Sequence, residues 1–293
     1  MNYKDNPSDD NHAIGTIDKK FDRSVSLLSW AYNEEGSILN FLERATKLMD
    51  ATVENYEIIL IDDGSTDKTY EIAKKFQEKN SQLKIFRNNK NRDVGICQQR
   101  AFKAATKEFL FWQTVDWSYD ISNLRLFLEY LREYDIVLGA RRSAIQVKSR
   151  VLKVLVLLFE LFNKEYLIRR SDTVSKSIIS IFHYLLVRTL FNVPVSDFHN
   201  STFYPTKWVQ SIKHEAKSPF VAPETLIKSY WNNMSIKEVS VSFIPRKVGE
   251  SKGTRPKAIL SVMKDIFRLW FRWIILGKRS ATKKGKVYRL TNS

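Results

Sequence analysis

A single cysteine, Cys97, excludes an internal disulfide and fits a reducing compartment. Histidine is scarce too: His12, His183, His199 and His214 stand at no metal-ligand spacing from one another or from Cys97, so each reads as structural or surface. No apolar run reaches the ~18 uninterrupted residues a spanning helix needs. Three stretches fall short of it: 151–162, broken by Lys153 and Glu160; 178–191, broken by His183 and Arg188; and 258–276, broken by Lys264, Asp265, Arg268 and Arg272. These read as interfacial rather than spanning. A secretory leader is not evident, and residues 1–23, polar and rich in Asp, Asn and Lys, read as a flexible lead-in. Internal repeats and low-complexity segments are absent. Acids are few, 32 Asp and Glu against 48 Lys and Arg, which leaves a net charge of +16 in 293 residues. That excess favours an anionic partner: nucleic acid, a membrane surface or a phosphorylated substrate.

What is present is organised around residues 56–67, Tyr-Glu-Ile-Ile-Leu-Ile-Asp-Asp-Gly-Ser-Thr-Asp. The β-branched run Ile58–Ile61 predicts a strand covered on both faces, as in a parallel sheet. Asp62 and Asp63 end it, Gly64 permits a tight turn, and Ser65, Thr66 or Asp67 can cap the next helix. Two acids at the carboxyl end of a central strand occupy the place where open α/β sheets bind ligands.

The remainder alternates. Strands are predicted at 24–32, 58–61, 83–87, 109–115 and 135–140, and helices at 38–49, 66–79, 94–106 and 121–133, which gives a Rossmann-like, mostly parallel sheet. Residues 141–193 turn helical, basic and apolar by turns, a late strand falls at 240–244, and the chain is strongly basic from Arg246. The predicted organisation is a lead at 1–23, an α/β domain at 24–252 with a helical, membrane-proximal insertion at 143–193, and an amphipathic membrane-associated helix with a basic tail at 253–293.

Ala31-Tyr32-Asn33-Glu34-Glu35, then Asp62-Asp63-Gly64-Ser65, then an acid after the fourth strand, resemble the family 2 glycosyltransferases of GT-A fold. The resemblance implies a sugar-nucleotide donor, with Ala31, Tyr32 and Glu34 lining the nucleoside and Asp62 and Asp63 on base or ribose. A carboxylate can accept two hydrogen bonds from either, and Tyr32 offers a stacking face. The family's Asp-x-Asp metal motif aligns to Thr114-Val115-Asp116, so Asp116 is the implied ligand of Mg²⁺ or Mn²⁺ and Thr114 replaces the first acid. Trp30 stands in place of the family's usual proline.

Residues 243–252, Phe-Ile-Pro-Arg-Lys-Val-Gly-Glu-Ser-Lys, are similar to the Arg-x-x-Gly-x-Ser-Lys segment of polyprenyl-phosphate glycosyltransferases of the dolichol-phosphate mannose synthase kind. Arg246, Ser251 and Lys252 can close over a diphosphate and neutralise it; the bland alternative is a solvated basic loop. Asp135-Ile136-Val137-Leu138-Gly139-Ala140-Arg141 is similar to the family segment whose arginine meets the acceptor phosphate, so Arg141 takes that role, with Arg170 and Ser175 as further candidates. Asp197 matches the acid of Asp-x-x-Ser-Gly-Phe, and Glu224 sits where the family carries a Glu on a helix behind the site.

The resulting expectation is an inverting, metal-dependent glycosyltransferase at the cytoplasmic face of a membrane, peripheral or monotopic, moving a sugar onto a lipid-borne phosphate. Arg141 would position the acceptor, and Asp116, Arg246 and Lys252 would carry the leaving diphosphate. Two alternatives stand beside it: transfer to a glycan hydroxyl with Asp197 as base, and a non-catalytic relative that binds a sugar nucleotide. Nucleic-acid binding is disfavoured, because the cations concentrate after Arg246 beside apolar helices and suit anionic lipid better.

Overall fold

The computed structural model describes residues 19–141, 174–241, 256–279 and 285–289. Strands β1 (Val25–Ala31), β2 (Tyr56–Asp62), β3 (Leu83–Arg87), β4 (Phe109–Trp112), β5 (Ile136–Arg141), β6 (Thr202–Pro205), β7 (Ile236–Val241) and β8 (Val287–Tyr288) form one sheet in the order β3-β2-β1-β4-β6-β5-β7-β8. Every pairing is parallel except those of β6, which runs antiparallel to both β4 and β5. The expected mostly parallel sheet is therefore present.

Its helices are α1 (Ile38–Thr52), α2 (Thr69–Gln77), α3 (Val94–Ala104), α4 (Leu124–Tyr130), α5 (Val174–Phe191), α6 (Thr206–Ser211), α7 (Val221–Trp231) and α8 (Pro256–Trp270), the last continuing as a π-helical turn over Phe271–Ile275. Strand periodicity splits the apolar run of β2 between two cores. Ile59 and Ile61 face a core shared with α3, α5, α7 and α8, and Ile58 and Leu60 face one shared with α1 and α4. All seven residues of β2 are buried, as its unbroken apolar run requires.

Several boundaries differ from the sequence reading. Phe21, assigned to the lead-in, is fully buried and pairs with Val53, and Arg23 reaches Glu108. Strand β7 begins at Ile236 rather than 240. Stretches 178–191 and 258–276 are core helices along one side: Ile181, Val187 and Phe191 of α5 and Ile266, Leu269 and Trp273 of α8 and its π turn are buried. Trp273 meets Trp231 edge-on at 5.7 Å, a favoured aromatic geometry. Residues 256–275 are thus an integral part of the body, and β8 extends the sheet. No helix among the described residues is long and apolar enough to cross a membrane. Stretch 151–162 lies outside the described residues.

Candidate active site

The reversed strand explains how the site is assembled. Because β6 is antiparallel, its entry segment, Asp197–Ser201, lies at the same edge as the carboxyl ends of β4 and β5. Ser201 Oγ donates to the Trp112 carbonyl there at 2.7 Å, and Arg141 ends β5 beside Asp197. The loops after β1, β2 and β4 open on this edge too.

The β1 and β2 loops are zipped together. Asn33 N–H donates to Ser65 Oγ (3.0 Å), Glu34 N–H to Thr69 Oγ1 (2.7 Å) and Glu35 N–H to Asp67 Oδ2 (3.1 Å), while the N–H groups of Thr66 and Lys68 donate back to Asn33 Oδ1 and Glu35 Oε2. Gly64 has φ of +71°, and a Cβ there would lie 2.7 Å from the Lys90 backbone, so the turn needs glycine twice over.

Asp62 and Asp63 are both buried, and both serve this loop architecture. Asp62 pairs with Arg87 at 3.0 Å and accepts from Ser65 N–H. Asp63 accepts from the Asn88 side chain (2.7 Å) and from the N–H groups of Arg92 (2.9 Å) and Asp93 (3.0 Å), which sets the start of α3. Ala31 is buried, and Tyr32 and Glu34 are half-buried at the rim. Of the five residues expected at the nucleoside, the two acids double as scaffold for the loops that hold the other three.

After β4 the chain turns tightly: Trp117 N–H donates to the Thr114 carbonyl (2.9 Å) and Trp117 has φ of +55°. Ser118 N–H points at both Thr114 Oγ1 and Asp116 Oδ1, each 3.2 Å away. Two hard oxygen donors thus converge where the metal motif was expected. Among the described residues no three His, Cys, Asp or Glu side chains cluster as a metal site. A carboxylate with a neighbouring hydroxyl suits Mg²⁺ or Mn²⁺ when donor phosphates complete the shell.

Arg141 grips Asp197 with a two-pronged fork, Nε to Oδ2 at 2.6 Å and Nη2 to Oδ1 at 3.0 Å. Asp197 also accepts from the N–H of Phe198 and of His199. Asp197, the candidate base of the hydroxyl-acceptor reading, is thus also the side chain that holds Arg141.

His199 Nε2 lies 3.2 Å from His183 Nδ1, a contact between α5 and the β6 entry that no sequence spacing announced. Burial first, then Arg141, pulls His199 down to about 4 against the opposing influence of Asp197, and burial holds His183 well below its usual value. Tyr119 donates its hydroxyl to the His199 carbonyl at 2.7 Å, tying the Asp116 turn to the segment that carries Asp197.

Behind this edge, Ser196 donates through N–H and Oγ to Glu238 (2.6 and 2.7 Å), and Arg289 beyond β8 clasps Glu238 and the Pro194 carbonyl. Glu224, on α7, is fully buried and accepts from Glu215 N–H, Ala216 N–H and Lys228; burial raises its pKa, with Lys228 opposing. Ser175 falls in the first turn of α5. Arg170, Arg246, Ser251 and Lys252 lie outside the described residues.

This chain is similar to known glycosyltransferases over part of its length. It is 28% identical over 133 residues to glycosyltransferase AglD of Haloferax volcanii, covering 44% of this chain and 21% of that protein. It is 26% identical over 118 residues to a dolichol-phosphate mannosyltransferase of Pyrococcus furiosus, covering 40% of this chain and 33% of the other. These matches span only a fifth to a third of either relative's length. Among solved structures, the mannosyltransferase PcManGT of Pyrobaculum calidifontis, determined with GDP-Man and Mn²⁺, superposes with a TM-score of 0.55 at 12% identity, over 88% of this chain and 70% of that one. That likeness establishes the GT-A fold. The sequence profile of glycosyl transferase family 2 matches residues 26–191, from β1 through α5 and more than half of the sequence. With the Asp-Asp-Gly-Ser turn, the Asp116 turn and the sheet order all in place, the chain belongs to glycosyl transferase family 2.

Proposed function

We propose that this protein transfers a sugar, with inversion, from a nucleotide-diphosphate sugar to a polyprenyl phosphate at the cytoplasmic face of a membrane. The observation that carries the reading is the Arg141–Asp197 fork, hung on the same β6 entry segment that Tyr119 ties to the Asp116 turn. It sets a phosphate-matching guanidinium beside the donor edge, with both Asp197 oxygens engaged in holding it.

A phosphate monoester acceptor is already anionic near neutral pH, so it needs no base. Its oxygen forms the new bond to the anomeric carbon as the bond from that carbon to the donor diphosphate breaks, and the electron pair leaves with the diphosphate. Asp116, with Thr114 beside it, would hold Mg²⁺ or Mn²⁺, which supplies charge neutralisation to that leaving group. The zipped β1 and β2 loops position the nucleoside and Arg141 positions the acceptor; catalysis is positioning plus electrostatics. Arg246, Ser251 and Lys252 enter through their resemblance to the diphosphate-closing segment.

The membrane reading draws on an exposed apolar row on α8 and its π turn, Leu260, Phe267, Phe271 and Ile275, with the exposed cations Lys264, Arg268 and Arg272 alongside. This row is narrower than the apolar circumference expected from sequence, since the opposite side is core. The test is incubation of purified protein with radiolabelled sugar nucleotides, Mn²⁺ and polyprenyl phosphate. Label passing into an organic-soluble, mild-acid-labile product supports the reading. Label passing only to water-soluble acceptors would overturn it.

A further inference from the structure

At the edge of the sheet opposite the candidate site, a cavity of about 350 Å³ opens between α6, α7 and the end of the π-helical turn. Its position follows from topology: α6 begins after Pro205, which registers with Phe109 at the start of β4, and α7 ends just before β7 starts. Lys213, Lys228, Lys278 and Arg279 line it, with Glu215 as its one carboxylate and Trp273 in its wall.

Internal pairing accounts for two of these charges. Lys228 is nearly buried and bound to Glu224 at 2.6 Å. Glu215 is held by Trp273 Nε1 at 2.9 Å and by Arg272 at 3.1 Å. Lys213, Lys278 and Arg279 are exposed, and no carboxylate pairs with any of them among the described residues. Cations just past a helix end offset its dipole, which is reason enough for Lys278 and Arg279. It gives no reason for Lys213, which comes from the loop after α6 and brings a third uncompensated charge to the same mouth.

The apolar surroundings identify the kind of anion. Phe271, Ile275 and Leu276, on the turn that leads into the cavity, are each more than half exposed. A free phosphate has no use for such a row. An anionic headgroup attached to acyl chains uses both, the cations for the phosphate and the row for the acyl boundary.

We propose that this cavity binds the phosphate headgroup of an anionic membrane lipid, distinct from the acceptor, at the C-terminal end of α8. The proposal rests on the reading that the protein works at a membrane. Purified full-length protein is floated with phosphatidylcholine vesicles and with vesicles that also contain phosphatidylglycerol. Wild type should prefer the anionic vesicles. Lys213→Ala and Arg279→Ala should each weaken that binding about fivefold, with melting temperatures unchanged because both side chains are exposed. Lys257→Ala, equally exposed on α8 but away from the cavity, should weaken it clearly less; an equal loss would mean diffuse attraction and overturn the site. Soluble short-chain phosphatidylglycerol should compete, whereas competition by inorganic phosphate at the same concentration would overturn the lipid assignment. If Phe271→Ser with Ile275→Ser releases the protein while the cavity variants do not, the headgroup site falls and the membrane reading stands. If wild type binds neither vesicle, both fall.

Discussion

Thr114 and Asp116 reach for the same hydrogen: Ser118 N–H lies 3.2 Å from Oγ1 of the one and Oδ1 of the other. The hydroxyl therefore stands close to where the first carboxylate of a two-acid metal motif would act, and the turn itself is intact. Asp116→Asn is expected to lower turnover about a hundredfold or more, and EDTA to do the same to wild type. Thr114→Asp should tighten Mn²⁺ binding, read by calorimetric titration in the presence of nucleoside diphosphate. Full activity in excess chelator would remove the metal from the proposal.

The Arg141–Asp197 fork separates two readings of the acceptor. If Asp197 only holds Arg141, Asp197→Asn raises the acceptor KM and leaves the pH dependence of kcat/KM unchanged in shape. Loss of the acidic limb in that variant would restore Asp197 as a base and favour a hydroxyl acceptor. Arg141→Lys should fail to rescue, since an ammonium cannot reproduce a two-pronged contact. Breaking so buried a pair also costs stability, about 3 kcal/mol.

Acid should loosen the fold early. His199 falls from 6.5 to about 4 in the folded chain, and His183 and His214 are lowered as well, burial being the first cause for all three. A histidine kept neutral by the fold gives full stability above its unfolded value, and that stability is lost as pH drops from about 6.5 toward 4. For His199 alone the loss reaches about 3 kcal/mol. Urea midpoints at pH 7 and pH 5 check this, and His199→Asn should flatten the difference. An unchanged midpoint in wild type would contradict the buried neutral pair.

Cutting the chain after Lys257 is not a clean way to remove a membrane helix. Ile266, Leu269 and Trp273 lie in the same core as β2 and α3. The cut protein is expected to lose cooperative thermal unfolding, as is Trp273→Ala, which should cost about 3–5 kcal/mol. A truncated chain melting like wild type would show that the C-terminal helix is dispensable to the core.

Much of the first half of the fold was legible because β2 and β4 carry apolar residues on both faces and the helices between the strands carry them on one. Strand β6 escaped notice: it is four residues long and enters through the polar Asn200 and Ser201. The start of β7 was hidden by Lys237 and Glu238, both buried in place. Lys237 lies 4.7 Å over the Tyr130 ring, and Glu238 takes Ser196 and Arg289. Charges matched by distant partners look like loop in a sequence. The site split in the same way. Asp62, Asp63 and Asp116 were readable from local motifs, but the fork between Arg141 and Asp197 and the His183–His199 contact depend on the reversed β6, which no local pattern reveals.

Arg289 ties the far end of the described chain to the middle of the candidate site. It braces Glu238, which fixes Ser196 one residue before Asp197. The zipped β1 and β2 loops are held by their own bonds to one another. Disturbing Arg289 would therefore slacken the Asp197 segment first and leave those loops as they are, so the two halves of the site can fail separately.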